Sequence, residues 1–93
     1  MNIISIKNEI NKNDAISAED GALIFEKIKS FIDKQQNVTI DFDGIDLVLS
    51  TFLNPAIGQL YYLYDKNVVD TFFHYINLID VDEQTLERVI QNA

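Results

Sequence analysis

Apolar residues alternate with polar ones in three short stretches, and each stretch predicts a β-strand. In the first, Ile4 and Ile6 alternate with polar neighbours. The second covers residues 38–44 (VTIDFDG), where a glycine supplies a turn. The third covers residues 70–78 (DTFFHYINL), with apolar residues on both sides of the strand. This third strand is therefore expected to be covered on both faces, or on one face with a dimer contact on the other.

Apolar spacings of three and four residues predict helices between these strands. The polar, Asn-rich stretch 8–14 is interpreted as a loop or tight turn. Ser17 stands three residues before Asp20, an arrangement typical of a helix N-cap. A helix is predicted over about residues 18–34. Its buried side is predicted to carry Ala22, Phe25, Ile28 and Ile32.

A second helix follows residue 50, and two start positions are open. Asn54–Pro55 combines a capping residue with proline at the first helical position. A cap at Ser50 or Thr51 would instead place the proline at the end of the first turn, where one backbone hydrogen bond is lost. Because the residue before a proline avoids helical angles, we predict the later start, after an irregular or 3₁₀ entry. The expected apolar stripe comprises Ala56, Leu60 and Leu63, with Ile57 and Tyr64 beside it.

The last predicted helix is capped by Asp80 or Asp82, with Glu83 near its positive end. Its apolar stripe comprises Leu86, Val89 and Ile90. The element order is then β-α-β-α-β-α, which predicts an α/β fold with a small, mostly parallel sheet packed with helices. With 93 residues, 47% of them apolar, the chain can form one core, so we expect a single compact domain over residues 1–93.

The absence of cysteine from the sequence excludes disulfides and thiolate metal sites, and it is typical of a reducing compartment. No run approaches the roughly 18 apolar residues of a membrane span. The N-terminal residues lack the pattern of a signal peptide. We therefore expect a cytoplasmic protein that does not contact a membrane.

The charge is strongly acidic and unevenly distributed. Residues 1–35 hold six acids and five bases, a net charge of −1, whereas residues 36–93 hold nine acids against Lys66 and Arg88, a net charge of −7. Such a surface repels phosphate backbones, so direct nucleic-acid binding is not expected. The charge either keeps the protein soluble or steers a basic partner.

The sequence offers little for catalysis. It has no phosphate-binding glycine loop, and its one histidine, His74, lies in the aromatic-rich third strand, where a structural role is expected. Asp41, Asp43 and Asp46 form a possible acidic patch; they either hold Mg²⁺ or line a solvated face and a turn. We predict the solvated face, no metal, no cofactor and no enzymatic activity.

Three segments resemble the family of STAS-like domains of unknown function, which is related to the STAS domains of anti-sigma factor antagonists. They are VTIDFDGI at residues 38–45, STFLN at residues 50–54 and AIGQL at residues 56–60. The amphipathic helix before them and the closing LxxVIxxA helix extend the resemblance over most of the chain. It implies a single STAS-like domain.

In anti-sigma factor antagonists, an Asp-Ser-Ser/Thr-Gly turn opens a helix, and its second hydroxyl residue is phosphorylated by a partner kinase. The resemblance places that hydroxyl on Thr51 and its neighbour on Ser50. The aspartate and glycine of the turn are replaced by Leu49 and Phe52. The alternative is that both hydroxyl residues only cap and shape the loop.

The resemblance implies a regulatory module that docks a protein partner through residues 50–64, with phosphorylation as a switch. The expected partner is an ATPase-type kinase or an anti-sigma-like regulator. The residues expected to bind it are Ser50, Thr51, Phe52, Asn54, Gln59 and Tyr62. The alternatives are an acidic decoy that mimics nucleic-acid charge, a homodimeric module, and a small enzyme using the aspartates or His74.

Overall fold

The fold is built from five short strands and a series of helices, seen in a computed structural model that describes residues 2–93. Along the chain they are β1 (Asn2–Ser5), α1 (Ile6–Ile10), β2 (Asp14–Ala15), α2 (Ala18–Asp33), β3 (Val38–Asp41), β4 (Leu47–Val48), α3 (Ser50–Leu53), a π-helical turn (Asn54–Gly58), α4 (Gln59–Leu63), α5 (Lys66–Phe72), β5 (Phe73–Ile76) and α6 (Asp80–Gln91). No helix among these residues is long and apolar enough to cross a membrane.

The main sheet has three strands in the order β1-β3-β5, and both pairings are parallel. β2 and β4 form a separate two-stranded parallel ribbon. The predicted α/β architecture with a small parallel sheet is confirmed.

The central strand β3 owes its place to its apolar residues. Val38 and Ile40 are fully buried, and Ile40 is in register with Ile4 and Tyr75 on the same face. On the opposite face Ile3 is 55% exposed on an edge strand. The helices therefore cover the face that carries Ile40.

The third strand begins later than predicted. Residues 66–72 form α5, in which Val69 is fully buried and Lys66 forms an ion pair with Asp70 one turn later. The strand itself covers only Phe73–Ile76, because Asn77 takes a left-handed conformation (φ 60°) that ends it. His74 and Ile76 are exposed, so the prediction that both faces are covered within the chain is wrong.

The polar stretch after β1 is helical rather than a loop. Ile6 and Ile10, four residues apart, are both buried on one side of α1. The Ser5 hydroxyl caps this helix, and Asn11, in the left-handed region (φ 57°), ends it. The predicted strand through Ile6 was wrong, because burial of Ile6 and Ile10 stabilises a helix despite the polar residues between them.

Helix α2 has the predicted cap and nearly the predicted length. The Ser17 hydroxyl accepts a hydrogen bond from the Asp20 amide at 3.1 Å. The buried side of α2 is shifted from the predicted one, since Ala22 is exposed while Gly21 and Ile24 are buried. Gly21 faces the second helix, where a Cβ atom would lie 2.4 Å from the Phe52 carbonyl oxygen.

The second helix begins at Ser50, so the predicted later start is wrong. We call residues 50–63 the central helical segment; it runs through α3, the π-turn and α4 without a break. Pro55 has no amide hydrogen for the Thr51 carbonyl, and its ring crowds that oxygen. The wider π-turn accommodates this proline, and Asn54 keeps helical angles in front of it.

The π-turn also changes which residues of the central helical segment are buried. The Asn54 amide bonds to the Ser50 carbonyl, and the Gln59 amide bonds to the Asn54 carbonyl five residues back. Leu63, predicted in the apolar stripe, is the last residue of α4 and is half exposed. The buried residues of the π-turn and α4 are Ala56, Ile57, Gly58 and Leu60.

Helix α6 packs against α3 and the π-turn on the side away from α2. Its first residue is Asp80, preceded by Ile79 at the cap position without a side-chain cap, so capping by Asp80 or Asp82 was a wrong prediction. These acids lie in the first turn with Glu83, where the helix dipole favours negative charge. Its predicted stripe is confirmed, with Leu86 and Val89 buried and Ile90 half buried.

Candidate functional site

The central helical segment presents a line of exposed side chains to solvent. Ser50, Asn54 and Gln59 stand on successive turns, as their backbone hydrogen bonds require, and Tyr62 follows one turn later. Tyr62 is 76% exposed. We call these four residues the exposed row. All four were predicted as partner-binding residues.

The other two predicted binding residues lie differently. The Thr51 hydroxyl is exposed but donates a hydrogen bond to the Ile16 carbonyl, which holds the start of α3 against the chain after β2. Phe52 is fully buried in the core. Its side chain is therefore not available to a partner, which corrects the sequence-based assignment.

Exposed apolar side chains lie beside the start of the exposed row. Ile16, Leu47 and Leu49 are each more than a third exposed; Leu47 belongs to β4, Ile16 follows β2, and Leu49 follows β4. The Leu49 amide bonds to the Ala15 carbonyl at 3.0 Å, which brings the two chain segments together. We call these three residues the apolar border. The sequence signal for it was the run LVL before Ser50, in which only Val48 is buried.

The three tyrosines of the second helix point in different directions. The Tyr61 hydroxyl donates to Asp70 of α5 at 3.0 Å, and the Tyr64 hydroxyl donates to Asp33 of α2. These bonds fix α4 to both neighbouring helices. Tyr62 makes no such bond within residues 2–93 and projects into solvent. It is therefore the tyrosine that a partner can reach.

Burial, with the hydrogen bond to Asp70 as a second cause, raises the pKa of Tyr61 far above its usual range. A raised pKa in the folded state means that the contribution of Tyr61 to stability is present below the ordinary tyrosine pKa of about 10 and is lost as the pH rises through the folded-state value. We expect Tyr61→Phe to weaken the dependence of the free energy of unfolding on pH above about 10, measured by urea unfolding at several alkaline pH values. The matched control, Tyr62→Phe, removes an exposed hydroxyl that makes no hydrogen bond within residues 2–93; an equal weakening in both variants would contradict the assignment.

The possible acidic patch does not gather into one site. Asp41, at the end of β3, accepts hydrogen bonds from the Asn77 side chain at 2.8 Å and from the Asp43 amide at 2.9 Å. Asp43 and Asp46 are exposed in the following turn, where Gly44 has a φ of 81°. Within residues 2–93 no group of three or more acidic or histidine side chains is placed to hold a metal ion.

His74 lies on the exposed face of β5. Its Nε2 atom is 3.1 Å from the Asn37 side-chain oxygen, which links β5 to the residue before β3.

A cleft of about 380 Å³ lies between the central helical segment and α6, beside the point where they pack together. One wall carries Ser50 and Asn54 of the exposed row. The residues lining the other wall are Thr85, Arg88, Val89 and Asn92. Sequence analysis did not identify this cleft, because its two walls lie about thirty residues apart in the chain.

The fold is that of a small α/β domain with a parallel sheet, in which the central helical segment begins shortly after β4. The sequence model of a family described as a STAS-like domain of unknown function matches residues 20–83, more than half of the chain. The protein therefore belongs to this family of STAS-like domains, which confirms the resemblance drawn from its motifs. Comparisons with curated proteins and with solved structures gave no match.

Proposed function

We propose that this STAS-like domain is a non-catalytic regulatory module that binds a protein partner through the exposed row and the apolar border. The observation that carries the proposal is the alignment of Ser50, Asn54, Gln59 and Tyr62 on the solvent side of the central helical segment. The segment is anchored between α2 and α6, so these side chains stand on a rigid element. A preorganised surface loses little conformational entropy on binding.

The composition of this surface suits a protein interface. Tyr62 supplies a large side chain with a polar tip, a residue type enriched where binding energy concentrates. Ile16, Leu47 and Leu49 add apolar area at one end, while the amides of Asn54 and Gln59 offer hydrogen bonds. Protein interfaces combine an apolar core with a polar rim, and this surface supplies both kinds of group.

The charge of the domain favours a basic partner. Residues 36–93, which contain the whole central helical segment, carry a net charge of −7. Complementary charge accelerates association and excludes acidic competitors. An ATPase-type kinase or an anti-sigma-like regulator with a basic docking surface is the partner class that we propose.

Ser50 is the hydroxyl that we propose as a phosphorylation switch. Both Ser50 and Thr51 are exposed, but the Thr51 hydroxyl is engaged with the Ile16 carbonyl. The Ser50 hydroxyl forms none of the side-chain hydrogen bonds found in residues 2–93. A phosphate on Ser50 would add about −1.5 to −2 charges at the edge of the docking surface and change its affinity for the partner.

The test is affinity capture from the native host with ATP present, comparing the wild type with the double variant Asn54→Ala/Tyr62→Ala. We expect the wild type to retain a basic protein in stoichiometric amount. The double variant should bind that protein at least about tenfold more weakly, or about 1.4 kcal/mol. The intact mass of the bait, compared between the wild type and Ser50→Ala, reports any phosphate on Ser50.

The matched control is Val81→Ala, which removes an equally exposed apolar side chain at the start of α6, outside the proposed surface. It should bind the partner like the wild type. Equal binding by the double variant, or no retained protein at all, would refute the docking proposal.

An acidic decoy that mimics nucleic-acid charge is the second candidate, favoured by the net charge of −7 over residues 36–93. Binding by a decoy would depend steeply on salt concentration and hardly on the uncharged Tyr62 side chain. A salt titration of the captured complex, repeated with Tyr62→Ala, therefore separates the two candidates.

A further inference from the structure

We propose that the cleft between the central helical segment and α6 binds a small soluble anion, with the Arg88 guanidinium pairing with its phosphate monoester or carboxylate group. Docking of a protein on the exposed row does not require this site, although Ser50 and Asn54 belong to both. The proposal therefore does not rest on the proposed function.

Arg88 is the cation that this part of the chain leaves without a partner. Residues 36–93 contain only two basic side chains, and Lys66 forms an ion pair with Asp70. Arg88 takes part in none of the ion pairs formed within the described part of the chain. A planar guanidinium pairs with carboxylate or phosphate through two parallel hydrogen bonds, so a free one at a cleft favours such a group.

The rest of the lining favours an anion because it contains no carboxylate. The chain has 15 acidic residues, yet none of them lines the cleft. The Ser50 hydroxyl and the amides of Asn54 and Asn92 supply neutral hydrogen-bonding groups, whereas the Thr85 hydroxyl already donates to the Val81 carbonyl. Val89, which is nearly fully buried, supplies the one apolar contact.

The cleft has the size of a small-molecule site. Its volume of about 380 Å³ lies toward the lower end of the range of about 300–1,000 Å³ found for ligand pockets. The cleft can therefore bind a small molecule that carries one anionic group and hydroxyl groups.

The π-turn and Gly58 shape this cleft. A Cβ atom on Gly58 would lie 3.1 Å from Cγ1 of Val89 and 3.6 Å from the Asn54 side-chain oxygen. The glycine thus lets α6 approach the π-turn closely, and that approach sets the Asn54 side chain beside Val89. The lining is therefore fixed by packing.

The test is an amide NMR titration of the isotope-labelled protein with inorganic phosphate, glycerol phosphate and succinate. We expect saturable shifts confined to the cleft with at least one of these probes. Arg88→Gln should weaken the apparent affinity at least about tenfold, because the charge-assisted pair is lost. Arg88→Lys should weaken it less, since the charge remains without the planar fork.

Lys66→Gln is the matched control, since it removes the other basic residue of this region and should leave the affinity unchanged. Arg88 is exposed, so its variants are expected to fold, and their dispersed spectra verify this. The proposal would be refuted by the absence of a saturable shift, by equal affinity of Arg88→Gln, or by shifts located near the lysines of α2 and not at the cleft. Binding to vesicles with phosphate headgroups, when no soluble probe binds, would also refute it.

Discussion

Replacement of Ile40 by alanine is expected to lower the free energy of unfolding by about 2–5 kcal/mol. Ile40 is fully buried at the centre of β3, where it packs on the core side in register with Ile4 and Tyr75. Both neighbouring strands and the helix layer surround the side chain, so the cavity left by truncation cannot close by movement of a single element. For a domain of this size the loss is a large part of the total stability of about 5–15 kcal/mol.

The measurement is urea unfolding followed by circular dichroism, with Ile3→Ala as the matched control. Ile3 is also a strand isoleucine, but it is 55% exposed on the edge strand β1, so its truncation should change stability by less than about 1 kcal/mol. Similar losses for the two variants would contradict the assignment of Ile40 to the core.

Gly21→Ala is expected to destabilise the protein by about 1–3 kcal/mol, although alanine is the better helix former by about 1 kcal/mol. The reason is the close approach of α2 to the central helical segment. A Cβ on Gly21 would lie 2.4 Å from the Phe52 carbonyl oxygen and 2.7 Å from Cγ of Pro55. A backbone carbonyl and a ring that closes on the backbone cannot move aside as a flexible side chain can, so the two helices must separate.

Gly58→Ala makes the same chemical change in the central helical segment and is the control. Its nearest new contact would be the Val89 side chain at 3.1 Å, which can adjust. We expect a change of less than about 1 kcal/mol by thermal or urea unfolding. If Gly21→Ala were as stable as the wild type, the close helix contact described for α2 would be incorrect.

Sequence patterns correctly predicted those elements in which the spacing of apolar residues matches the positions that are buried. The alternation in residues 38–41 places Val38 and Ile40 on one face of β3, the spacing of Ile28 and Ile32 places both on one side of α2, and all four are buried. Prediction failed where packing outweighs propensity. Ile6 and Ile10 form a helix in a polar stretch, and Pro55 is retained inside a helix by a wider turn.

The candidate site could be predicted only in part. Local sequence placed Ser50 in the entry to the second helix, Asn54 at its cap, and Gln59 and Tyr62 on it, and all four are exposed. Phe52 was assigned to the surface because it occupies the position of a glycine in the related turn, whereas its apolar side chain is buried in the core. Ser50 and Arg88 line the same cleft because of the way two helices pack, and this packing cannot be inferred from a single sequence.

The proposed anion site and docking surface share Ser50 and Asn54, so their ligands should affect one another. If an anion bound near Arg88 changes the affinity for the partner by some factor, the partner must change the affinity for the anion by the same factor. Phosphorylation of Ser50 would place a competing negative charge at the cleft and weaken anion binding.

The π-turn has a consequence for how members of this family should be aligned. A π-turn amounts to one extra residue in an α-helix. Deleting one residue between Asn54 and Gly58 would restore regular helix and leave the later side chains of α4 facing as they do, because five residues of the π-turn and four of an α-helix each make about one turn. If the extra residue were instead kept in a regular helix, Leu60 would rotate out of the core by about 100° and Tyr62 would change its direction. Family members with an ordinary helix at this point should therefore carry a one-residue gap, and positions before and after the turn should be compared in separate registers.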